Sequence, residues 1–295
     1  MDAADLRIFE AVARLGRMNR AASELNTVQS NVTARIKLLE EDVKATLFER
    51  HSRGVSLTPA GRRLLPYAAR VNHLIAEARR AVRDDGTPSG RLIIGSLETT
   101  VAVRLSPLLA SYISAYPEVD LVLRTGTSAE LVEAVLDHQL DGALVCGPVD
   151  HPGLACEPLY QEELALLSAP GLNGLEALQG TGDLKIIVLR IGCSYRQRLE
   201  EILARRGIVG YRVLEFGTLE AIFGCVAAGL GISLLPRSLI GPVWPADRVG
   251  LHALPADEAV VDTLFIRRAD GFVSSALTAF LRRIRPAPLR ADAAE

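Results

Sequence analysis

Seven residues, Asp84 to Gly90 (DDGTPSG), divide this 295-residue chain into two stretches that obey different periodicities. Before them, apolar residues recur at helical spacing in short runs. After them, short strand-like runs alternate with helical ones for about 200 residues. A segment of Asp, Gly, Pro and Ser supports neither regular structure, so the two stretches must build separate cores. The break sets the first expectation: a small helical front part and a large α/β back part.

In the front part, Leu6, Phe9 and Ala13 follow helical spacing and Gly16 is a natural stop; Asn19 is placed to cap a second helix carrying Ala21, Ala22 and Leu25. A third helix is expected from Val28 to Val43, with Val32, Ile36 and Leu39 facing inward. At about 100° per residue, Ser30, Thr33, Ala34 and Lys37 then face outward, with Gln29 at the exposed edge of the first turn. The segment LFERHSRGVSLT, residues 47–58, reads as a hairpin with Arg50, His51 and Arg53 at its tip. A small, polar outward helix face followed by a basic hairpin suits a winged helix-turn-helix: the helix reaches base edges while the wing approaches phosphates. Generic three-helix packing would leave the same inward stripe.

Thr58-Pro59 is a helix start, with threonine as cap and proline at the first position. Beyond it Leu64, Ala68, Val71, Ile75, Ala78 and Val82 are spaced four and three apart, a heptad seam expected to dimerise the helix, with Pro66 expected to kink it. Packing onto the front domain itself is the competing explanation of that seam. The expected division is 1–58 for the head, 59–86 for the linker helix and 87–295 for an effector-binding part. Within that part, the chain is expected to cross between two subdomains, 87–161 with 266–295 and 162–265.

In that back part, strands RLIIGS, VDLVLRT, DGALVCG, KIIVLR, YRVLEF and ISLLP alternate with helices, the signature of parallel, doubly wound sheets. Ligands of such sheets bind beyond the carboxyl ends of strands. The candidate residues there are Glu98, Thr99, Thr100, Thr127, Ser128, Cys146, Cys193, Ser194, Arg196 and Thr218. Hydroxyls and helix-start N–H groups among them suit an anionic effector, with Arg196 adding charge; helix capping alone would also explain the Thr and Ser residues.

Composition refines this picture. A net charge of −2 argues against nucleic acid until it is split: residues 1–86 carry 15 Lys and Arg against 11 Asp and Glu, and the remainder 18 against 24. The opening MDAADLRIFEAV lacks a basic n-region, and the longest apolar run, 221–235, is short for a membrane span, so a soluble cytoplasmic protein is expected, without membrane partners. The cysteines Cys146, Cys156, Cys193 and Cys225 form no CxxC pair and are expected as buried or pocket thiols. The histidines His51, His73, His138, His151 and His252 lack metal-ligand spacing along the chain, and no Walker, GxSxG or GxGxxG string occurs. Neither a metal, nor a cofactor, nor catalysis is expected.

Residues 20–61, RAASELNTVQSNVTARIKLLEEDVKATLFERHSRGVSLTPAG, resemble the DNA-binding domain of LysR-type transcriptional regulators nearly position for position, and the Gly90–Gly95 strand entry and the late AAGLGISLLP extend the likeness over the chain. The resemblance implies a winged helix-turn-helix, a linker helix and a two-subdomain effector domain like that of periplasmic solute-binding proteins. It implies operator contacts from Gln29, Ser30, Thr33 and Arg35 and, at the wing, Arg50 and Arg53. It further implies homo-oligomers, usually tetramers, on paired half-sites, with RNA polymerase a further partner. Arg35 lies at the flank of the helix and is expected on a phosphate. Val28 stands where the family has a capping Ser or Thr, with Thr27 a candidate replacement. A solute-binding module whose front domain serves only assembly remains the alternative, to be separated by salt-dependent DNA binding.

Overall fold

The computed structural model describes residues 1–52, 54–172 and 184–285. They form two compact units, Met1–Asp84 with Asp137–Gln139, and the rest of the described chain.

In the first unit, α1 (Ala3–Leu15) is fixed at its start by a reciprocal cap: the Asp5 N–H donates to Asp2 at 2.8 Å and the Asp2 N–H to Asp5 at 3.2 Å. It ends on Gly16, left-handed at φ 66°. Helix α2 (Met18–Glu24) begins ahead of Asn19, so Asn19 is no cap and lies within the first turn. Helix α3 (Gln29–Asp42) starts from Val28, which supplies no side-chain acceptor. Thr27 does not substitute, since its hydroxyl takes the Asn31 amide side chain at 2.9 Å. Val32, Ile36 and Leu39 are fully buried with Phe9, Val12 and Ala21, as the helical spacing requires.

Strands β1 (Phe48–His51) and β2 (Gly54–Leu57) pair as the expected hairpin. Its turn end is pinned to the end of α1: Val55, which pairs with Arg50 next to the turn, donates its N–H to the Gly16 carbonyl at 2.9 Å. Gly54 (φ +142°) is required there, because a Cβ would sit 2.3 Å from that same carbonyl oxygen. Helix α4 (Pro59–Arg83) starts at Thr58, whose hydroxyl accepts the Gly61 N–H at 3.0 Å. The seam is corrected at its start. Ala68 is fully buried in the head core and Leu64 packs against it, so these two hold α4 to its own domain. The large apolar residues α4 leaves exposed are Tyr67, Val71, Leu74 and Val82; of the remaining seam residues Ala78 is exposed and Ile75 half-buried.

The second unit is built on β3 (Gly90–Ser96), β4 (Val119–Thr125), β5 (Gly142–Cys146), the 15-residue β6 (Leu154–Ser168), β9 (Ser233–Pro236), β10 (Gly250–His252) and β11 (Val260–Arg268), in the order β10-β6-β11-β5-β3-β4 with β9 also on β6. Strands β7 (Lys185–Leu189) and β8 (Arg212–Phe216) form a parallel pair, bridged to the β9 entry through Ile186 and Ile232. The expected parallel pairing holds for β3 with β4 and β5 and for β7 with β8, but it does not extend to the whole unit. Strands β6, β9, β10 and β11 pair antiparallel. The reason is β6, which pairs with β11 up to Glu163 and with β9 from Leu164 onward, so one strand serves two halves of the unit.

After β3, a helical stretch runs through α5 (Glu98–Thr100), a π-helical turn (Val101–Leu105) and α6 (Ser106–Ala115). The remaining helices are α7 (Ser128–Leu136), α8 (Ser194–Arg205), α9 (Leu219–Ala227), α10 (Ala256–Ala259) and α11 (Ser275–Ile284). On one side Tyr112 of α6 and Phe280 of α11 meet edge-on at 5.5 Å within a core that includes Leu92, Ile94 and Phe265. The second core joins α7, α8 and α9 to β5, β7 and β9.

Candidate nucleic-acid interface and ligand cleft

The head carries an open groove of about 390 Å³, lined by Arg17, Met18 and Asn19 of the α2 start, Gln29 and Thr33 of α3, and Arg50, His51, Ser52, Gly54 and Val55 of the wing. Burial of Val32, Ile36 and Leu39 turns Gln29 and Thr33 outward, and the hairpin brings Arg50 to the same side. The groove is held in shape from behind, where Glu40 accepts the Leu47 and Phe48 N–H groups at 2.7 and 3.2 Å and so ties α3 to β1. Ser30 is exposed beside Gln29, while Lys37 is exposed a turn further on, 3.7 Å from Glu41. Arg53 lies outside the described residues.

Arg35 differs from its expected role as a phosphate contact. Its guanidinium donates to both Asp2 carboxylate oxygens at 2.9 Å and forms an ion pair with Asp5 at 2.8 Å, so it ties α3 to the start of α1. The hydrogen bond from the Asp5 N–H, with help from Arg35, holds the Asp2 carboxyl below its usual range. Arg17 and Asn19 were missed by helix-face reasoning because they lie on another helix; only the fold lays the α2 start beside α3.

In the second unit, the carboxyl ends of strands converge on a narrow cleft of about 30 Å³, room for roughly one water. Its lining includes Leu97, Glu98 and Thr99, then Gly126 and Thr127, then Leu189, Arg190, Cys193 and Tyr195, and Gly217. Of the expected residues, Glu98, Thr99, Thr127 and Cys193 meet there. The others have local duties. Thr100 is buried, the Ser128 hydroxyl accepts the Cys146 N–H at 3.2 Å, and Thr218 caps α9 through the Ala221 N–H at 3.3 Å. Arg196 is tied to Glu200 at 3.1 Å and Glu215 at 2.8 Å, so it adds no free charge to the cleft, and Ser194 opens α8 without lining it. Arg190, the last residue of the KIIVLR run, lines the cleft where Arg196 does not; it has a looser ion pair, 3.9 Å from Glu130, and its side chain is half-exposed. Tyr195, buried and 3.4 Å from the Thr99 hydroxyl, forms part of the wall.

Burial raises the Glu98 carboxyl, the Glu220 carboxylate adds to the rise, and Arg190 opposes it. Among the described residues no hydrogen bond reaches the Glu98 carboxylate. Burial also pushes the Cys146 thiol up to about 12 and raises Cys193, the reverse of an activated nucleophile. All four cysteines are free; Cys146 and Cys193 are buried as expected, Cys225 is intermediate, and Cys156 is exposed, contrary to expectation. No described helix is long and apolar enough to cross a membrane.

A winged helix-turn-helix with a polar, arginine-edged groove, followed by an α/β unit with a cleft at its strand ends, defines a DNA-binding regulator. Residues 3–62 match the model of bacterial regulatory helix-turn-helix proteins of the lysR family, and residues 85–288 match the LysR substrate binding domain. The chain belongs to the LysR family of transcriptional regulators. It is 45% identical to the HTH-type transcriptional regulator GltR of Bacillus subtilis (strain 168), over 95% of both chains. Among solved structures its fold is similar to a full-length OxyR variant from Pseudomonas aeruginosa (TM-score 0.72, 20% identity, covering 98% of this chain and 96% of that one). It is also similar to full-length CbnR complexed with its target DNA (TM-score 0.66, 24% identity, 96% and 99%).

Proposed function

We propose that the α2–α3–wing groove of this DNA-binding regulator receives operator DNA and that the narrow cleft receives a small effector. The observation that carries the first half is convergence: Gln29 and Thr33 from α3, Arg17 from the α2 start and Arg50 from the wing all line one open groove. In this reading Gln29, Ser30 and Thr33 face base edges, Arg17, Lys37, Arg50 and Arg53 face phosphates, and Arg35 positions α3. The head's small charge excess makes paired half-sites, bound by a dimer or tetramer, the natural source of affinity. The exposed α4 stripe of Tyr67, Val71, Leu74 and Val82 serves as its dimer face.

For the effector, Arg190 receives an anionic group, and Glu98 offers an acceptor to a hydrogen-bond donor on the same molecule. The cleft must widen to admit it, and a ligand then shifts the protein only by its differential affinity for the wider state. The protein acts in the cytoplasm, on promoters and with RNA polymerase, and performs no catalysis. The subdomain division at residues 161–162 and 265–266 belongs to the same reading.

The test is binding to promoter DNA as a function of salt. Gln29→Ala is expected to weaken specific binding by about 1–3 kcal/mol and to relax discrimination at one base pair. Arg50→Ala is expected to lower the slope of log K against log salt by about 1, equally for all sequences. Binding that ignores salt and both substitutions would overturn the groove and return the solute-binding alternative.

A further inference from the structure

Three potential ligand groups, two from one helix face and one from far along the chain, meet inside the first unit. His73 and Glu77 are four residues apart on α4, so they share one face of the helix, with Nε2 and Oε2 3.6 Å apart. His138 lies far along the chain, in the segment Asp137–Gln139 that belongs to the same compact unit. Its ring is tilted against that of His73, with centroids 5.0 Å apart. One ligand atom from each of the three residues falls within 4.8 Å of the other two.

We propose that His73, Glu77 and His138 form a binding site for a divalent transition-metal ion of the zinc type. Two imidazoles and one carboxylate are the borderline nitrogen and oxygen donors such ions prefer over magnesium or calcium, whose sites are built from oxygen. Bonds of about 2.0–2.2 Å around a tetrahedral ion place ligand atoms roughly 3.4 Å apart. His73 and Glu77 stand near that separation already, and the largest separation in the trio needs to close by little more than an ångström, within reach of side-chain rotation. His138 is buried, and the side chains of His73 and Glu77 are only 20% and 14% exposed, so the donors sit largely out of bulk water. An ion there would cross-link α4 to a segment remote in sequence, and its binding free energy would add to the stability of that packing.

The experiment uses the full chain stripped with a chelator and titrated with Zn²⁺ alone, bound metal being read by equilibrium dialysis and the native state by thermal unfolding. One ion per chain is expected, with a rise in Tm that a large excess of Mg²⁺ neither produces nor prevents. Cobalt(II) in its place should give the intense visible absorption of a tetrahedral site. His73→Gln and Glu77→Gln should each weaken binding at least as much as loss of an outer-shell partner does, about 10- to 100-fold, while metal-free Tm and DNA binding stay unchanged. His51→Gln, at the wing, should bind as the parent chain does. Absence of Zn²⁺ binding, or equal binding by the His73→Gln, Glu77→Gln and parent proteins, overturns the site and leaves the groove and cleft assignments untouched.

Discussion

The groove of the head and the cleft of the second unit are both places where side chains wait for a partner, yet they are built in opposite ways. The groove is open, polar and about 390 Å³; the cleft is walled by Leu97, Leu189, Cys193 and Tyr195 and holds about 30 Å³. A duplex is a stiff polyanion, and a preformed open surface that pays no ordering cost meets it best. A small molecule gains most from enclosure, which a site can give only by opening and closing around it. Under the proposed assignment, specificity would rest on rigid placement in the head and on a cleft that opens around its ligand in the second unit.

That contrast can be broken most directly by attacking one core. Phe280→Ala removes a fully buried ring that packs edge-on against Tyr112 and should cost the second unit about 3–5 kcal/mol. Calorimetry should show one transition moved down while the head's stays in place. If both moved together, the two units would be one cooperative body and the contrast between them would lose its basis.

A smaller change acts on the head alone. α3 begins at Val28 without a side-chain acceptor, so Val28→Ser should stabilise the head by about 1 kcal/mol by supplying the missing cap. The same substitution should also steady Gln29 and Ser30, detectable as slower amide exchange in the first turn of α3. No gain in Tm would mean that water already satisfies those N–H groups.

The smallest expected effect sharpens the other side. Burial, with Glu220 adding to it, raises the Glu98 carboxyl above its usual range. The sign follows from proton counting. The folded state holds this proton more tightly than the unfolded chain, so its favourable contribution is complete below the ordinary carboxylate range and is lost as pH rises through the raised value. Glu98→Gln should therefore raise Tm modestly near neutral pH and flatten its fall with pH above the ordinary carboxylate range. A lower Tm at neutral pH would show that the charged form is favoured in the cleft.

Local periodicity carried most of the head. The inward stripe of α3, the Gly16 stop, the wing and the Thr58-Pro59 start depend on residues within one or two turns of each other, and all stand where spacing puts them. The cap at Asn19 failed because α2 takes its start from its packing against α1 and α3. The seam on α4 was half legible: its period is real, but Leu64 and Ala68 are claimed by the head core, a competition between two apolar partners that spacing alone cannot decide. In the back part the alternation of strands and helices was legible, whereas the antiparallel strands β6, β10 and β11 were not, since strand direction is a property of pairing between distant segments.

The site residues divide the same way. Gln29, Thr33 and Arg50 line the groove, and Glu98, Thr99, Thr127 and Cys193 the cleft, where helix phase and strand ends had put them, while the family came from the long motif of residues 20–61. Arg35 and Arg196 could not be ruled out from sequence, because their charges are cancelled by Asp2, Asp5, Glu200 and Glu215 only after folding. Sequence by itself determined the two-part organisation, the helices and wing of the head, the alternation in the back part and the family, which follow from short-range periodicity and a long local motif. Tertiary structure alone decided which charges stay free, how far the cleft is closed, and that His73, Glu77 and His138 meet. Those depend on through-space distances that include groups far apart in the chain: Arg35 and Asp2, Arg196 and Glu215, His138 and His73.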